Sequence, residues 1–363
     1  MAFCLEHGMS RYDARLVAWL VQHHLLLSMT AQKQDVNDPR VINEFAAKVS
    51  DQLHLNYLYV LTVADVSATN PDLWNSWKDT LFWELYSGTK RALRRGAADP
   101  IDREELVAET KERAASLLAD AGITADRWQP IWHELSDEYF LRHRAEEVAW
   151  HTEVLSRTSE RKGVLVDINN SIADGLTVVM VYSDNRRSYI RTTGILDAMG
   201  LNVVDARIVP VGDGKHLNTY CVLDADGQQI ADPMMLNELQ HRLVSSLNDG
   251  GTQPIQINRR MPRQVRMFST PVQIQTTTDP ANARTIIELV ASDRPGLLYQ
   301  VAQVLDRHGI DLQNAKIATI GERAEDVLFV TTTDSQPLDD AQCETLKAAL
   351  IAALTESGAR AAS

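Results

Sequence analysis

Two stretches of the sequence align on one another without a gap: DNRRSYIRTTGILDAMGLNVVDARI, residues Asp184 to Ile208, and DRPGLLYQVAQVLDRHGIDLQNAKI, residues Asp293 to Ile317. The offset is 109 at both ends, because 293 − 184 and 317 − 208 give the same difference. Apolar runs flank each stretch, TVVMVYS and TYCVLDADG around the first and TIIELVAS and DVLFVTTTD around the second. The pattern predicts a small β-α-β unit present twice, and tandem copies of one unit often form a binding surface between them.

Bulk composition restricts the classes of function. The chain has 363 residues and a formal net charge of −13, and its length predicts several domains. Phosphate backbones and anionic membranes repel such an acidic surface, so we expect neither nucleic acid nor membrane as a partner. Cys4, Cys221 and Cys343 are far apart and form no CxxC spacing, which is typical of a reducing compartment. The sequence has no signal-peptide pattern and no apolar run of membrane-spanning length, so we expect a cytoplasmic protein.

The residue pattern divides the chain into an all-α part and an α/β part. Apolar residues recur at helical spacing in the first part, and alternating β-branched runs begin at Gly163. The predicted class is therefore α+β. We expect four segments: a helical region over 1–160, the first repeat over 163–253, a linker over 254–284 and the second repeat over 285–356. Within the linker the run PVQIQTTT alternates like an edge strand.

The loop that opens the second repeat has features of a ligand site. Pro295 fixes φ, Gly296 removes a side chain, and a predicted helix follows at once. The free backbone N–H groups at a helix start can hold a carboxylate. Asn314, after the helix, offers both a donor and an acceptor. The alternative interpretation is a tight turn in which Asn314 satisfies local backbone groups.

These residues resemble the ACT domain, a ferredoxin-like βαββαβ sensor of amino acids. The resemblance lies in a strand, the sequence Asp-Arg-Pro-Gly-Leu-Leu, a helix, and then HGIDLQNAKI before a second strand. It covers about 75 residues at each repeat and is specific in the second. The resemblance implies that the effector contacts Asp293, Pro295, Gly296, Leu297 and Asn314.

The first repeat departs from the ACT pattern at the positions that matter for binding. After Asp184 it has Arg186 and Arg187 where the second repeat has Pro295-Gly296, and it has Asp205 where the second has Asn314. Arg186 could pair with an effector carboxylate. The alternative, which we favour, is that the first copy serves as a packing partner.

The helical part offers three candidate metal ligands, His23, His24 and Asp65. Adjacent residues on a helix point about 100° apart, so only one of the two histidines is expected to face a site shared with Asp65. One imidazole and one carboxylate are too few for a catalytic ion, which usually has three or more protein ligands. From the residues alone, a partly buried histidine pair near the end of a core helix is the favoured interpretation.

The helical part also resembles the family of bifunctional PII uridylyltransferase/uridylyl-removing enzymes. The resemblance lies in three segments followed by two ACT repeats: RYDARLVAWLVQHHLLLSMTAQKQD from Arg11, NYLYVLTVADVSATNPDLWNSWKDTLFWELY from Asn56, and YFLRHRAEEVAWH from Tyr139. The resemblance implies a nucleotidyltransferase acting on the PII signal protein, an HD phosphohydrolase that removes UMP with Mg²⁺ or Mn²⁺, and an ACT pair that senses glutamine.

The chain departs from this family in its catalytic motifs. The Gly-Ser and Asp-x-Asp signatures and the His-Asp dyad would lie upstream of Met1, so we expect a chain that is catalytically incomplete and binds no metal tightly. Asp65 matches the last metal-ligand aspartate, and His24 matches a site-lining histidine better than His23 does. Two alternatives stay open: a free-standing regulatory protein that binds an amino acid, and a complete small hydrolase using His23, His24 and Asp65.

Overall fold

The computed structural model describes all residues except 70–73, 97, 158–162, 213, 250–254, 258–269, 321–322 and 363, and it leaves the side chains of 320 and 356–362 undescribed. The chain divides into two compact units. We call residues 1–114 with 140–145 the helical unit and residues 115–139 with 146–363 the sheet unit. Of the linker predicted over 254–284, residues 254 and 258–269 lie outside the described residues.

Ten helices precede the first strand in the part of the chain that the structure describes. They are α1 (Ala2–Glu6), α2 (Arg11–His23), α3 (Leu26–Lys33), α4 (Pro39–Val49), α5 (Gln52–Thr69), α6 (Ser76–Arg95), α7 (Arg103–Asp120), α8 (Ala125–His133), α9 (Asp137–Arg142) and α10 (Ala145–Arg157). None of the described helices combines the length and the apolar character that a bilayer crossing requires.

The helical unit is held together by a core between α3, α4, α5 and α6. Leu27, Phe45, Leu55, Phe82 and Leu85 lie in this core and are almost completely buried. Side-chain caps define where two of these helices begin: the Asp38 carboxylate accepts from the N–H of Arg40 at 2.9 Å, and Asn75 Oδ1 accepts from the N–H of Lys78 at 2.9 Å. The helical prediction for this part of the chain is confirmed.

The sheet unit is built on one antiparallel sheet to which both repeats contribute. Its strands are β1 (Leu165–Asn169), β2 (Thr177–Ser183), β3 (Asn202–Val211), β4 (Lys215–Leu223), β5 (Gln273–Asp279), β6 (Arg284–Ser292), β7 (Ile310–Lys316), β8 (Thr319–Ile320) and β9 (Arg323–Thr332). The order across the sheet is β1-β2-β4-β3-β7-β9-β6-β5, and β8 pairs with β9. The predicted α+β class is confirmed, and β5 is the edge strand that the alternation in PVQIQTTT indicates.

Four helices cover one face of this sheet: α11 (Ser188–Ala198), α12 (Pro233–Asn248), α13 (Leu297–Arg307) and α14 (Asp340–Ala362). Their apolar side chains form a single core with alternate residues of the strands. Among the described residues, each repeat therefore runs ββαββα, and not the βαββαβ that the ACT resemblance implied. The edge position beside the first long strand is filled by the strand that precedes it in sequence, β1 beside β2 and β5 beside β6. In each pair the two strands are adjacent in sequence and joined by a short connection. The order of strands across the sheet is therefore that of βαββαβ, but the edge strand comes first in the chain and not last.

The two repeats join through a short antiparallel pairing of β3 with β7. Asp205 pairs with Lys316, Ala206 with Ala315 and Arg207 with Asn314. Ala206 and Ala315 are themselves equivalent, since 206 + 109 = 315, so the pairing is centred on a pseudo-two-fold axis. A β-bulge occurs at the same place in both copies, between Val203 and Asp205 and between Leu312 and Asn314. The repeat seen in the sequence is therefore also a repeat of backbone geometry.

The helix α10 lies on the opposite face of the sheet, against strands of the first repeat. Strand residues alternate between faces, so Ala206 points to the helical core while Arg207 points to α10. There the Arg207 guanidinium donates to Glu147 of α10 in a bidentate pair at 2.7 and 2.9 Å, and it also contacts Asp205 at 3.0 Å. Trp150 of the same helix donates its indole N–H to Asp167 of β1 at 2.7 Å. These buried contacts fix α10 against the first repeat.

We expect Glu147→Ala to destabilise the sheet unit strongly. Arg207 is 6% exposed and Glu147 is 4% exposed, so truncation of the carboxylate leaves a buried cation with one acidic partner fewer. Breaking a buried pair in this way costs about 3–5 kcal/mol in the free energy of unfolding. Glu153→Ala is the matched control, because Glu153 lies on the same helix and pairs with the exposed Arg157, so a change below about 0.5 kcal/mol is expected. Equal effects of the two variants in urea unfolding would contradict this prediction.

Candidate functional site

The loop between β6 and α13 has the geometry that its sequence indicates. Gly296 is the N-cap of α13 and adopts φ 87°, a left-handed conformation that favours glycine. A Cβ at Gly296 would meet only Gln300 and Ile257, both at 3.6 Å. The glycine is therefore required by its backbone angle and not by lack of space. Its N–H donates to the Asp197 carboxylate of α11 at 2.5 Å, a contact that joins the two repeats.

A cavity of about 170 Å³ lies between the two repeats at this loop. The first repeat contributes residues from the end of α11 and the start of β3: Thr193, Asp197, Leu201, Asn202 and Val203. The second repeat contributes the loop residues Asp293, Arg294, Pro295, Leu297 and Leu298, and behind them Ile317, Thr319, Ala324 and Asp326. Three of the predicted ligand contacts, Asp293, Pro295 and Leu297, are thus brought together in one cavity wall.

Asp326 of β9 is the most unusual group in this wall. It is 2% exposed, and its Oδ1 has no hydrogen-bond partner among the described residues. Burial, together with the nearby negative charge of Asp293, raises the pKa of this carboxyl to about 8, although a backbone hydrogen bond from Ala318 opposes the shift. A carboxyl in this environment holds its proton near neutral pH unless a cation arrives.

Arg294 supplies the cation of the cavity wall. Its guanidinium is 8% exposed and donates to Gln300 Oε1 at 2.7 Å and to the carbonyl of Leu354 at 3.3 Å. Burial lowers the pKa of Arg294, and the charge of Asp197 opposes that shift. The side chain is thereby fixed to α13 and α14, with its positive charge beside the cavity.

At the symmetry-related position, where the loop of the first repeat faces the second repeat, two partly exposed arginine side chains form ion pairs with the second repeat. Arg186 pairs with Asp311 at 2.7 Å and Arg187 pairs with Asp306 at 2.8 Å. Asp306 is the equivalent of Asp197, since 197 + 109 = 306, and Arg187 is the equivalent of Gly296. Where the second repeat leaves space beside Pro295-Gly296, the first repeat therefore places two cations and bonds them to the protein itself.

The two repeats also differ at the strand residue behind the loop. In the register of the paired strands, Ile317 follows Lys316 as Ile208 follows Arg207, which makes Asn218 of β4 the equivalent of Asp326. Asn218 donates to Ser188 Oγ at 3.0 Å, so the first repeat has an internal donor–acceptor pair. The equivalent of Ser188 is Leu297, which has no polar group to offer Asp326.

The remaining predicted ACT residues lie away from this cavity. Asp184 is exposed in the arginine loop, and Asp205 is buried against Arg207 on the α10 face of the sheet. Asn314 is 1% exposed and pairs across the sheet with Arg207, so it shares that face. The structure does not bring Asn314 to the loop at Gly296, because the bulge after Leu312 turns Asn314 away from the helical side.

The sequence analysis missed Asp326, Arg294 and Asp197. A signal for Asp326 was present: it is an acidic residue on the inward face of a strand whose neighbours on that face, Ala324 and Leu328, are apolar. A charged side chain within an apolar stripe is unusual enough to mark a candidate site. Asp197 could have been found only with knowledge of how the two repeats pair.

The three candidate metal ligands of the helical unit lie on α2, just after it, and on α5. His23 stacks on Trp19 at 4.7 Å, and its Nδ1 lies 2.9 Å from the carbonyl oxygen of Trp19. The Nδ1 of the exposed His24 lies 2.9 Å from the carbonyl oxygen of Val21, and Asp65 is exposed on α5. Among the described residues, no group of three or more His, Cys, Asp or Glu side chains is placed to hold a metal ion. The residues present therefore do not fit a Mg²⁺ or Mn²⁺ site.

The fold and the cavity define a tandem ACT-domain protein, and the ACT family model matches residues 285–342. A second model, described as the uridylyltransferase GlnD fifth domain, matches residues 102–154, which include α7 to α9 and most of α10. A bifunctional uridylyltransferase/uridylyl-removing enzyme of Ectopseudomonas mendocina is 43% identical over 99% of this chain and 41% of its own length. The chain belongs to this enzyme family.

Other relatives agree on the family and on the extent of the match. Enzymes of the same description from Pseudomonas putida strain W619 and Stutzerimonas stutzeri are each 43% identical, over 99% and 98% of this chain and over 41% and 40% of their own lengths. The chain thus spans about two fifths of the length of the curated relatives it matches. A crystal structure of aspartate kinase from Synechocystis covers 51% of this chain and 28% of its own at 15% identity, but its TM-score of 0.28 supports no structural argument.

We predict that Asp326 makes the stability of the sheet unit decrease as the pH rises from about 4 to about 8. Its pKa is about 8 in the folded protein against a usual value of 3.8, so in this window the folded state holds a proton that the unfolded state releases. The free energy of unfolding then falls by up to about 1.4 kcal/mol per pH unit. The Asp326→Asn variant has no carboxyl to titrate at this position. Its free energy of unfolding, minus that of the unchanged protein, should therefore increase as the pH rises.

Urea unfolding of both proteins at about pH 5.5 and about pH 7.5 measures the difference. If the stability of Asp326→Asn stays at a constant offset from that of the unchanged protein at both pH values, the carboxyl is not protonated in the folded state and the prediction is wrong.

Proposed function

We propose that this chain is the C-terminal regulatory part of a PII uridylyltransferase/uridylyl-removing enzyme and that it senses glutamine in the cavity between its two ACT repeats. The observation that carries the proposal is the asymmetry of the repeat pair. One inter-repeat position is a cavity with acidic side chains and an arginine in its wall, and at the equivalent position Arg186 and Arg187 are ion-paired to the second repeat. In this proposal each chain therefore has one small-molecule site between its two repeats.

The dimensions and polarity of the cavity support an amino acid as the ligand. Pockets for drug-sized ligands have volumes of about 300–1,000 Å³, so a cavity of about 170 Å³ suits a smaller molecule. Its wall offers the acidic side chains Asp293 and Asp326, the guanidinium of Arg294 and the amide of Asn202. Charges of both signs within one small cavity match the ammonium and carboxylate groups of a free amino acid.

The helical unit, in this proposal, is the second half of an HD phosphohydrolase domain. Apolar side chains are exposed on three of its helices: Tyr12 and Val21 on α2, Tyr57 and Val60 on α5, and Trp83 on α6. Exposed apolar surface of this kind is typical of a region that packs against a further segment. The PII protein, the substrate of the family, would be processed by an enzyme in which that segment is present.

Glutamine binding is the first test of the proposal. Calorimetry on the full chain should show one glutamine bound per chain at millimolar concentrations. Gly296→Val should abolish binding, because a β-branched residue is strained at φ 87° and the loop must change its conformation. Arg187→Ala should retain it, because Arg187 is already bonded to Asp306 and lies at the ion-paired position.

The matched control for the glycine substitution is Gly227→Val. Gly227 adopts φ 73° in a turn with open space around it, so it imposes the same backbone strain away from the cavity. Loss of binding in both variants would point to a general effect of strain. Two equal glutamine sites per chain would contradict the proposed asymmetry, and no heat of binding would contradict glutamine as the effector.

The second test concerns catalysis by this chain alone. We expect the purified protein to bind Mn²⁺ weakly, to leave unmodified PII without UMP and to leave uridylylated PII intact over hours. An HD site needs a metal ion that acidifies a bound water, and His24 with Asp65 offers two ligands only. The whole enzyme of Ectopseudomonas mendocina serves as the positive control. Release of UMP that disappears in Asp65→Ala would show that the site is complete and that this part of the proposal is wrong.

A further inference from the structure

We propose that the inter-repeat cavity holds the ammonium group of its ligand between Asp326 and Asp293, and that entry of the ligand drives a proton from Asp326 into solvent. This inference rests on the proposed function, because it takes the ligand of the cavity to be an amino acid. It adds that Asp326 determines specificity, that this residue recognises the ammonium group of the ligand, and that binding releases a proton.

The first observation is the burial of Asp326 without a partner for one of its oxygens. At 2% exposure the carboxyl is removed from water, and its Oδ1 accepts from no described group. A buried polar atom without a hydrogen bond is costly to the folded state, and such atoms are rare in proteins. Because Asp326 lies in the cavity wall, a donor brought by a ligand can satisfy it.

The second observation is that the equivalent position of the first repeat holds a neutral amide whose nitrogen has an internal partner, although its Oδ1, like that of Asp326, accepts from no described group. Asn218, the equivalent residue, is neutral and donates to Ser188 Oγ at 3.0 Å. The second repeat has replaced the amide by a carboxyl and the serine by Leu297, and both changes remove a hydrogen bond from inside the protein. The two changes together put a titratable carboxyl in the cavity wall, where the first repeat has an amide bonded to its own helix.

The charged groups around Asp326 favour a cation at one end of the cavity. Asp293, on the loop after β6, is close enough to raise the pKa of Asp326, and its Oδ2 accepts from the Thr319 hydroxyl at 3.2 Å. Asp197, on α11, is engaged by the N–H of Gly296. The cation Arg294 donates to Gln300 and Leu354. A ligand ammonium is therefore placed against Asp326 and Asp293, and the carboxylate of the same ligand is placed at the end of the cavity near Arg294.

The proton balance follows from this arrangement. In the empty cavity Asp326 is a neutral carboxylic acid near pH 7, since its pKa is about 8. An ammonium placed against it favours the carboxylate, so the O–H proton leaves for solvent while the ligand keeps all three of its own. The product is a carboxylate–ammonium pair and one released proton. Affinity should therefore rise with pH up to about 8.

The test is calorimetry of the full chain with glutamine near pH 7 in buffers of different ionisation enthalpy. We expect the release of close to one proton per glutamine bound. The analogue 4-carbamoylbutanoate, which is glutamine without its ammonium group, should bind about 10-fold or more weakly and release none. Asp326→Asn should bind glutamine about 10-fold or more weakly, also without proton release. Asp334→Asn is the control, an exposed aspartate of the same repeat, and should match the unchanged protein.

Each outcome bears on a different statement. Glutamine bound without proton release, and no more tightly than 4-carbamoylbutanoate, would overturn the ammonium subsite and leave glutamine sensing intact. If glutamine does not bind, the other common amino acids are compared with their deaminated analogues. An amino acid that binds with proton release, lost in Asp326→Asn, would keep the subsite and refute glutamine as the effector. If no amino acid outbinds its deaminated analogue, the subsite is refuted.

Discussion

The pairing of β3 with β7 is the constraint on which the rest of the sheet unit depends. It places Ala206 against its own equivalent, Ala315, and so makes one continuous sheet from two repeats. Because the pairing is centred on a pseudo-two-fold axis, each repeat's loop lies against the helix end of the other. A cavity between the repeats therefore requires this register, and a slip of one residue would exchange the faces of β7.

The candidate site lies where the two repeats differ in sequence. The two inter-repeat positions, one with a cavity and one with two arginine ion pairs, differ at a few residues: Arg186-Arg187 against Pro295-Gly296, Ser188 against Leu297, and Asn218 against Asp326. The arginine side is held by partly exposed ion pairs, which add little stability by themselves. Their main effect is to occupy space and to neutralise Asp306 and Asp311.

The sequence predicted the parts of this structure that local pattern determines. Helical spacing, the offset of 109 and the turn residues at Pro295-Gly296 are properties of neighbouring residues, so the all-α part, the repeat and the loop could be read directly. Chain order within each repeat could not, because β1 and β5 fill an edge position that a later strand could also have filled. Asn314 was expected at the site. Its position on the other face depends on a bulge that residue identities do not reveal.

A single cavity per chain has a consequence for how ligand binding depends on ligand concentration. Were both inter-repeat positions open, occupation of one could change the other through the shared strands, and a steep, cooperative curve would be available within one chain. In the proposed arrangement each chain has one ligand site, so ligand binding to a single chain follows a graded, hyperbolic curve. A steeper response would then have to arise between chains and not from the tandem pair itself.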